Sequence, residues 1–159
     1  MKKHIVCIGD SNTHGYCADP ADCAEGGIRF NEDERWTCLL QKALGEDYLV
    51  TEEGLSGRTT VFPDPLHESM DALPNILIVC PPAILPEMEG SECGIPMGKG
   101  CLEKSRELPQ YLEKTARLVG AHYMDAAQCE FNRLDGMHLT RRGHAQLADM
   151  LAGLVPTLL

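Results

Sequence analysis

Three short polar clusters hold residue types that can do chemistry: Gly9-Asp10-Ser11, Ser56-Gly57-Arg58-Thr59 and Asp135-Gly136-Met137-His138. A serine hydroxyl is a poor nucleophile until a base takes its proton. A histidine does this when a carboxylate orients the ring and supports the imidazolium. Asp135 and His138, three residues apart on a turn, can make that pairing locally. The tetrahedral oxyanion created by attack needs fixed donors. The backbone N–H groups of Ser11 and Gly57 are candidates, because glycine lets a backbone approach closely. His14 is a rival base, with Asp10 or Asp19 as its nearest carboxylates. Each cluster by itself has an ordinary reading. Gly-Asp-Ser is a common turn, and Asp-x-x-His is a common loop or capping pair. Their order and setting in the chain are what make a reactive serine the better reading.

The setting is one of strands alternating with helices. Ile5 to Ile8 is a short apolar run that Gly9-Asp10-Ser11-Asn12 breaks, the pattern of a buried strand ending in a polar turn. A serine just past the C-terminal end of a first parallel strand stands where open α/β sheets place ligands and chemistry. Asn31 or Asp33 can cap a helix whose apolar stripe is Trp36, Leu39, Leu40, Ala43 and Leu44, ended by Gly45. Residues 47–52 form a second strand running into the Ser56-Gly57 loop. Residues 75–80 (NILIVC) are a continuous apolar run, typical of a strand covered on both faces. Residues 83–103 are predicted to be a long surface loop. A helix is predicted over 105–119, with Pro109 in its first turn or kinking it, and a strand over 121–126. Thr140 is a plausible cap for the closing helix, whose stripe is Leu147, Met150, Leu151 and Leu154. His144 falls inside that helix and is predicted to lie on its surface. Trp36 is predicted to be a core residue. The pattern gives an α/β sandwich with a mainly parallel sheet, and residues 1–159 read as one domain.

Composition narrows the classes. The chain is 43% hydrophobic and 24% charged, which is ordinary for a soluble globular protein. Its net charge is −10, with only 14 Lys and Arg, which argues against nucleic acid and anionic membranes as partners. The start offers no h-region of signal-peptide length, and no apolar run is long enough to span a bilayer, so a cytoplasmic protein is expected. The eight cysteines contain no C-x-x-C pair and no zinc-type spacing. Cys7 and Cys80 are expected to be small core residues, and no metal or organic cofactor is expected.

At these residues the chain resembles a family. Gly9-Asp10-Ser11-Asn12-Thr13-His14-Gly15, Gly54-Leu55-Ser56-Gly57-Arg58-Thr59-Thr60 and Asp135-Gly136-Met137-His138-Leu139 look like blocks I, II and V of the SGNH (GDSL-type) hydrolases. The similarity is to the arylesterase-like branch and extends through Arg35-Trp36 and residues 76–82. The resemblance implies a three-layer α/β/α sandwich with a flavodoxin-like, mainly parallel sheet. It also implies hydrolysis of small acyl esters, aryl or acetyl, through an acyl-enzyme. Ser11 would be nucleophile and first oxyanion donor, Gly57 the second donor, His138 the base and Asp135 its orienting acid. Asp10 and Asn12 beside Ser11 would support the site. The resemblance implies no cofactor, a small-molecule ester as partner, and self-association as an expectation.

One departure matters. The family's block III is a Gly-x-Asn-Asp turn after a central strand, and its asparagine is a third oxyanion donor. Only fourteen residues separate Thr60 from Asn75, and no such block lies among them. A strand with its loop and crossover helix is absent, a unit of roughly 30 residues. In a sheet ordered 2-1-3-4-5, the first and fourth strands would then pair directly, flank a gap, or be bridged by another chain. Losing one oxyanion donor costs about 10²–10³ in rate. The rival expectation is therefore a catalytically impaired remnant of the fold, serving as a binding or assembly module. A third reading, the first loop as a phosphate cradle, leaves the Asp-His pair unexplained and fits no phosphate-loop glycine spacing.

Overall fold

The computed structural model of the chain describes residues 1–56, 75–88, 91, 94 and 97–159. Strand β1 (Lys3–Gly9) leads into the single-turn helix α1 (Ser11–His14). Helix α2 (Trp36–Leu44) and strand β2 (Tyr48–Gly54) follow. Strand β3 (Leu77–Cys80), helix α3 (Cys101–Val119), strand β4 (His122–Asp125) and helix α4 (Arg141–Leu158) complete the described order.

Among the described residues both strand ladders are parallel. β1 pairs β2 from Lys3 opposite Tyr48 to Gly9 opposite Gly54, and β3 pairs β4 from Leu77 opposite His122 to Cys80 opposite Asp125. Among the described residues β1 and β3 do not pair, so the sheet is two parallel ribbons. Of the three outcomes open to the sequence, direct pairing of these two strands is thereby removed. No strand lies between them among the described residues.

One core serves both ribbons. Cys7 of β1 and Met124 of β4 share it with Trp36 and Leu40 of α2 and with Leu147, Leu151 and Val155 of α4. Ile5, Val50, Leu77 and Val79 pack against it from the strands. Because side chains alternate across a strand, Val6 and Ile8 point to the other face of β1, and there they are 48% and 53% exposed. α3 packs on β3 and β4. Cys7 and Cys80 are buried, as is Trp36. Among the described residues no helix is long and apolar enough to cross a membrane.

Four expectations need correction. Asn31 does not cap α2, whose N-cap is Arg35 with no side-chain bond. Its Oδ1 instead accepts from Asp33 N–H at 2.9 Å, closing a turn ahead of the helix. Helix α3 begins at Cys101 rather than 105, after Gly100 in the left-handed region (φ +73°). Pro109 therefore lies in the helix interior, where it leaves the Ser105 carbonyl without its usual donor. The segment predicted as loop over 83–103 includes a 3₁₀ turn, Pro86–Met88. His144 is fully buried, with 0% exposure. Its helix is covered both by the core and by a second small cluster of Cys17, Cys23 and Phe30, and the Phe30 ring stands edge-on to the imidazole at 4.8 Å. The apolar stripe alone did not reveal that second covered side.

Candidate active site

The Ser11 turn is built locally. β1 ends at Gly9, and the Asp10 carboxylate accepts from Asn12 N–H at 2.9 Å, capping α1. Ser11 opens the turn, and its carbonyl accepts from the N–H groups of both Gly15 and Tyr16 at 2.9 Å. Gly15 ends the turn at φ +85°, a conformation that favours glycine. The end of β2 closes on the same turn. Gly54 lies so near it that a Cβ there would stand 2.2 Å from the backbone nitrogen of His14. Leu55 N–H then bonds the carbonyl of Gly9 at 3.0 Å. Gly57, the expected second oxyanion donor, lies outside the described residues, as does most of the loop that holds it.

The second half of the site is the loop between β4 and α4. Its ends are pinned by a bridge between Phe131 and Leu139 and by Thr140 N–H bonding the Glu130 carbonyl at 3.1 Å. Inside it, Asn132 N–H bonds the His138 carbonyl at 2.7 Å, and the Asn132 side chain accepts from Leu134 N–H at 2.8 Å. Asp135 Oδ1 accepts from the backbone N–H groups of Met137 and His138 at 3.1 and 3.2 Å. Thr140 caps α4 as expected, accepting from Gly143 N–H at 3.0 Å.

The two halves meet at the side chains. Ser11 Oγ lies 2.7 Å from His138 Nε2, and His138 Nδ1 lies 2.6 Å from Asp135 Oδ2. With Nδ1 facing a carboxylate it carries the proton, which leaves Nε2 to accept from the serine hydroxyl. His138 and Asp135 side chains are only 14% and 13% exposed. Burial alone would raise the Asp135 pKa. The bonds it accepts from the His138 ring and from two backbone N–H groups outweigh that, so the carboxyl titrates below its ordinary range. An ionised Asp135 can thus hold the ring and stabilise it when protonated. The ring that meets Ser11 is that of His138, while the backbone carbonyl of His14 accepts from Arg29 Nε at 2.8 Å. Asp10 and Asn12 both act in the site's scaffold: Asp10 caps the turn, and Asn12 Oδ1 accepts from Leu139 N–H at 2.8 Å.

Residues not anticipated from sequence also shape it. The Tyr16 ring lies 4.6 Å from the His138 ring at 54°. Asn132 scaffolds the base loop, and an asparagine opening a turn three residues before Asp-Gly is the signal that could have marked it. Buried Glu34 accepts from Ala24 N–H and lies 3.3 Å from Arg141 Nε, tying the loop after α1 to the start of α4. Asp22 accepts from Arg141 N–H at 2.7 Å. A cavity of about 610 Å³ borders the base loop, lined by Asp19 and Asp22 from one side, Leu85 from another, and Asn132, Arg133 and Thr140. Among the described residues no group of three His, Cys, Asp or Glu side chains is disposed to hold a metal.

Comparison with known proteins bears on the fold. No protein-family model and no curated protein sequence matches the chain. Solved structures do. The aryl esterase of M. smegmatis superposes with a TM-score of 0.79 at 26% identity, over 99% of this chain and 100% of that one. A carbohydrate acetylesterase family member from Sinorhizobium meliloti gives 0.80 at 24% identity, over 98% of each chain. At these TM-scores the chain has the arylesterase-like fold of the SGNH, or GDSL-type, hydrolases.

Proposed function

We propose that this protein is a serine ester hydrolase acting on small acyl esters, aryl or acetyl, through an acyl-enzyme. The observation that carries the reading is the unbroken hydrogen-bonded line from Ser11 Oγ through the His138 ring to Asp135. Ser11 Oγ attacks the ester carbonyl carbon as its proton passes to His138 Nε2. The developing oxyanion is held by the backbone N–H groups of Ser11 and Gly57. The carbon–oxygen bond to the alcohol then breaks, and His138 returns the proton to the leaving alcohol. A water molecule, deprotonated by the same ring, hydrolyses the acyl-Ser11 ester and frees the acid. Asp135 stays ionised throughout and keeps the ring in the productive tautomer.

The alcohol portion is proposed to lie toward the cavity beside the loop that carries Asp135 and His138; the cavity lining includes Asp19, Asp22 and Arg133. The protein is proposed to act in the cytoplasm, a reading supported by the cysteines among the described residues, at positions 7, 17, 23, 38, 80, 101 and 129, all of which are free. The rival reading, a remnant serving as a binding module, would leave Ser11 and His138 with no need to be in hydrogen-bond reach. Their 2.7 Å separation weighs against it. Turnover of p-nitrophenyl acetate and covalent labelling by a fluorophosphonate test the proposal. Wild type is expected to do both and S11A neither. A folded wild type that is unlabelled and indistinguishable from S11A would refute it.

A further inference from the structure

The base and the nucleophile come from loops 127 residues apart, on ribbons that no strand pairing joins among the described residues. Something other than the β-ladder must set their separation. The contacts around His138 show what does. Ser11 Oγ meets Nε2, the Tyr16 ring lies against the imidazole, and Asn12 Oδ1 holds the N–H of Leu139, the next residue in the chain. All three partners come from one turn. That turn is itself closed by Asp10 on Asn12 N–H and by the Ser11 carbonyl on the N–H groups of Gly15 and Tyr16. The Asn12 amide has a fixed orientation, because a backbone N–H can be met only by its carbonyl oxygen. The bond is also well formed at 2.8 Å.

We infer that Asn12 is the positioning residue of this site: its side-chain carbonyl fixes the base loop to the nucleophile turn and so sets the Ser11–His138 distance. Asn12 acts through His138 and does not itself touch the reacting atoms. The inference rests on the esterase reading for its effect on rate, but not for the tether itself. A misplacement of about 1 Å between reacting groups costs about 10²-fold in rate, so removing the tether acts on kcat.

The test compares wild type, N12L and N12D. Leucine keeps the size of asparagine and removes the acceptor, and aspartate restores an acceptor in the same place. Two readouts are taken: kcat and KM for p-nitrophenyl acetate, and amide hydrogen exchange at Leu139. N12L is expected to lower kcat about ten- to a hundredfold with KM within about twofold, and to speed exchange at Leu139. N12D is expected to recover most of kcat and the slow exchange. If N12L does not fold, N12A carries the same comparison. The inference is overturned if N12L keeps wild-type kcat, or if exchange at Leu139 is unchanged while kcat falls. If wild type neither turns over nor is labelled, the esterase reading has failed on its own. The tether is then decided by Leu139 exchange alone, where equal protection in wild type and N12L overturns it.

Discussion

His144 shows how far a single residue can depart from its sequence context. It sits on the closing helix between two apolar clusters, its Nδ1 accepting from Trp36 N–H at 3.3 Å. Among the described groups its Nε2 is buried with no protein partner. Burial, with smaller contributions from Arg35 and His138, lowers its pKa to about 4. In the unfolded chain an ordinary histidine titrates near 6.5. The unfolded state therefore binds this proton more readily, so the stabilisation is complete above pH 6.5 and is lost as pH falls toward 4. A shift of that size is worth about 3 kcal/mol. Urea unfolding at pH 7.5 and 4.5 is expected to show wild type losing about 2–3 kcal/mol more than H144Q across that span. Equal losses would show that the ring does not titrate in this way. Asp135 illustrates the opposite balance, since the same burial is outweighed there by the donors that its own loop folds around it.

At the scale of elements, the end of β2 and the nucleophile turn are fitted to one another with no room to spare. Arg29 and Arg35 both reach Glu52 on β2, at 2.6 and 3.2 Å, and Thr37 bonds the same carboxylate. This draws β2 against the chain that follows Ser11, and Gly54 is the point of closest approach. In G54A the added methyl meets the backbone of His14, which cannot rotate away, so β2 and the turn must separate. A loss of about 1–3 kcal/mol in stability is expected. At least a tenfold fall in ester turnover should accompany it, since the displaced turn holds both Ser11 and Asn12. Wild-type turnover with a full loss of stability would show that the turn moves as a unit with its base.

Over the whole molecule, α2 and α4 cover one face of both ribbons, and their shared core carries the connection that the sheet lacks. The other face of β1 is different. A strand in the middle of a doubly covered sheet buries alternate residues on both faces, yet Val6 and Ile8 are about half exposed. V6T is therefore expected to cost within about 0.5 kcal/mol, whereas Leu40→Ala, in the core at 1% exposure, is expected to cost about 2–5 kcal/mol. Denaturant unfolding measures both. A cost for V6T approaching that of Leu40→Ala would mean that this face is covered in solution.

The sequence by itself determined the local pieces. The apolar runs, the Gly45 stop, the Thr140 cap and the Asp135–His138 pairing are set by neighbours a few residues away, and each is found where its residue types demand it. The separation of β1 from β3 among the described residues fits the short segment that the sequence offers between them. What only the tertiary structure decided are contacts between residues far apart in sequence. These are the burial of His144 between two clusters, the Tyr16 ring against the imidazole, and the reach of Asn12 across 127 residues to Leu139. The sequence marks Asn12 only as a neighbour of Ser11 that would support the site, with no partner for its side chain. Its role exists only once packing has brought the two loops within 3 Å, and periodicity and spacing carry no information about that distance.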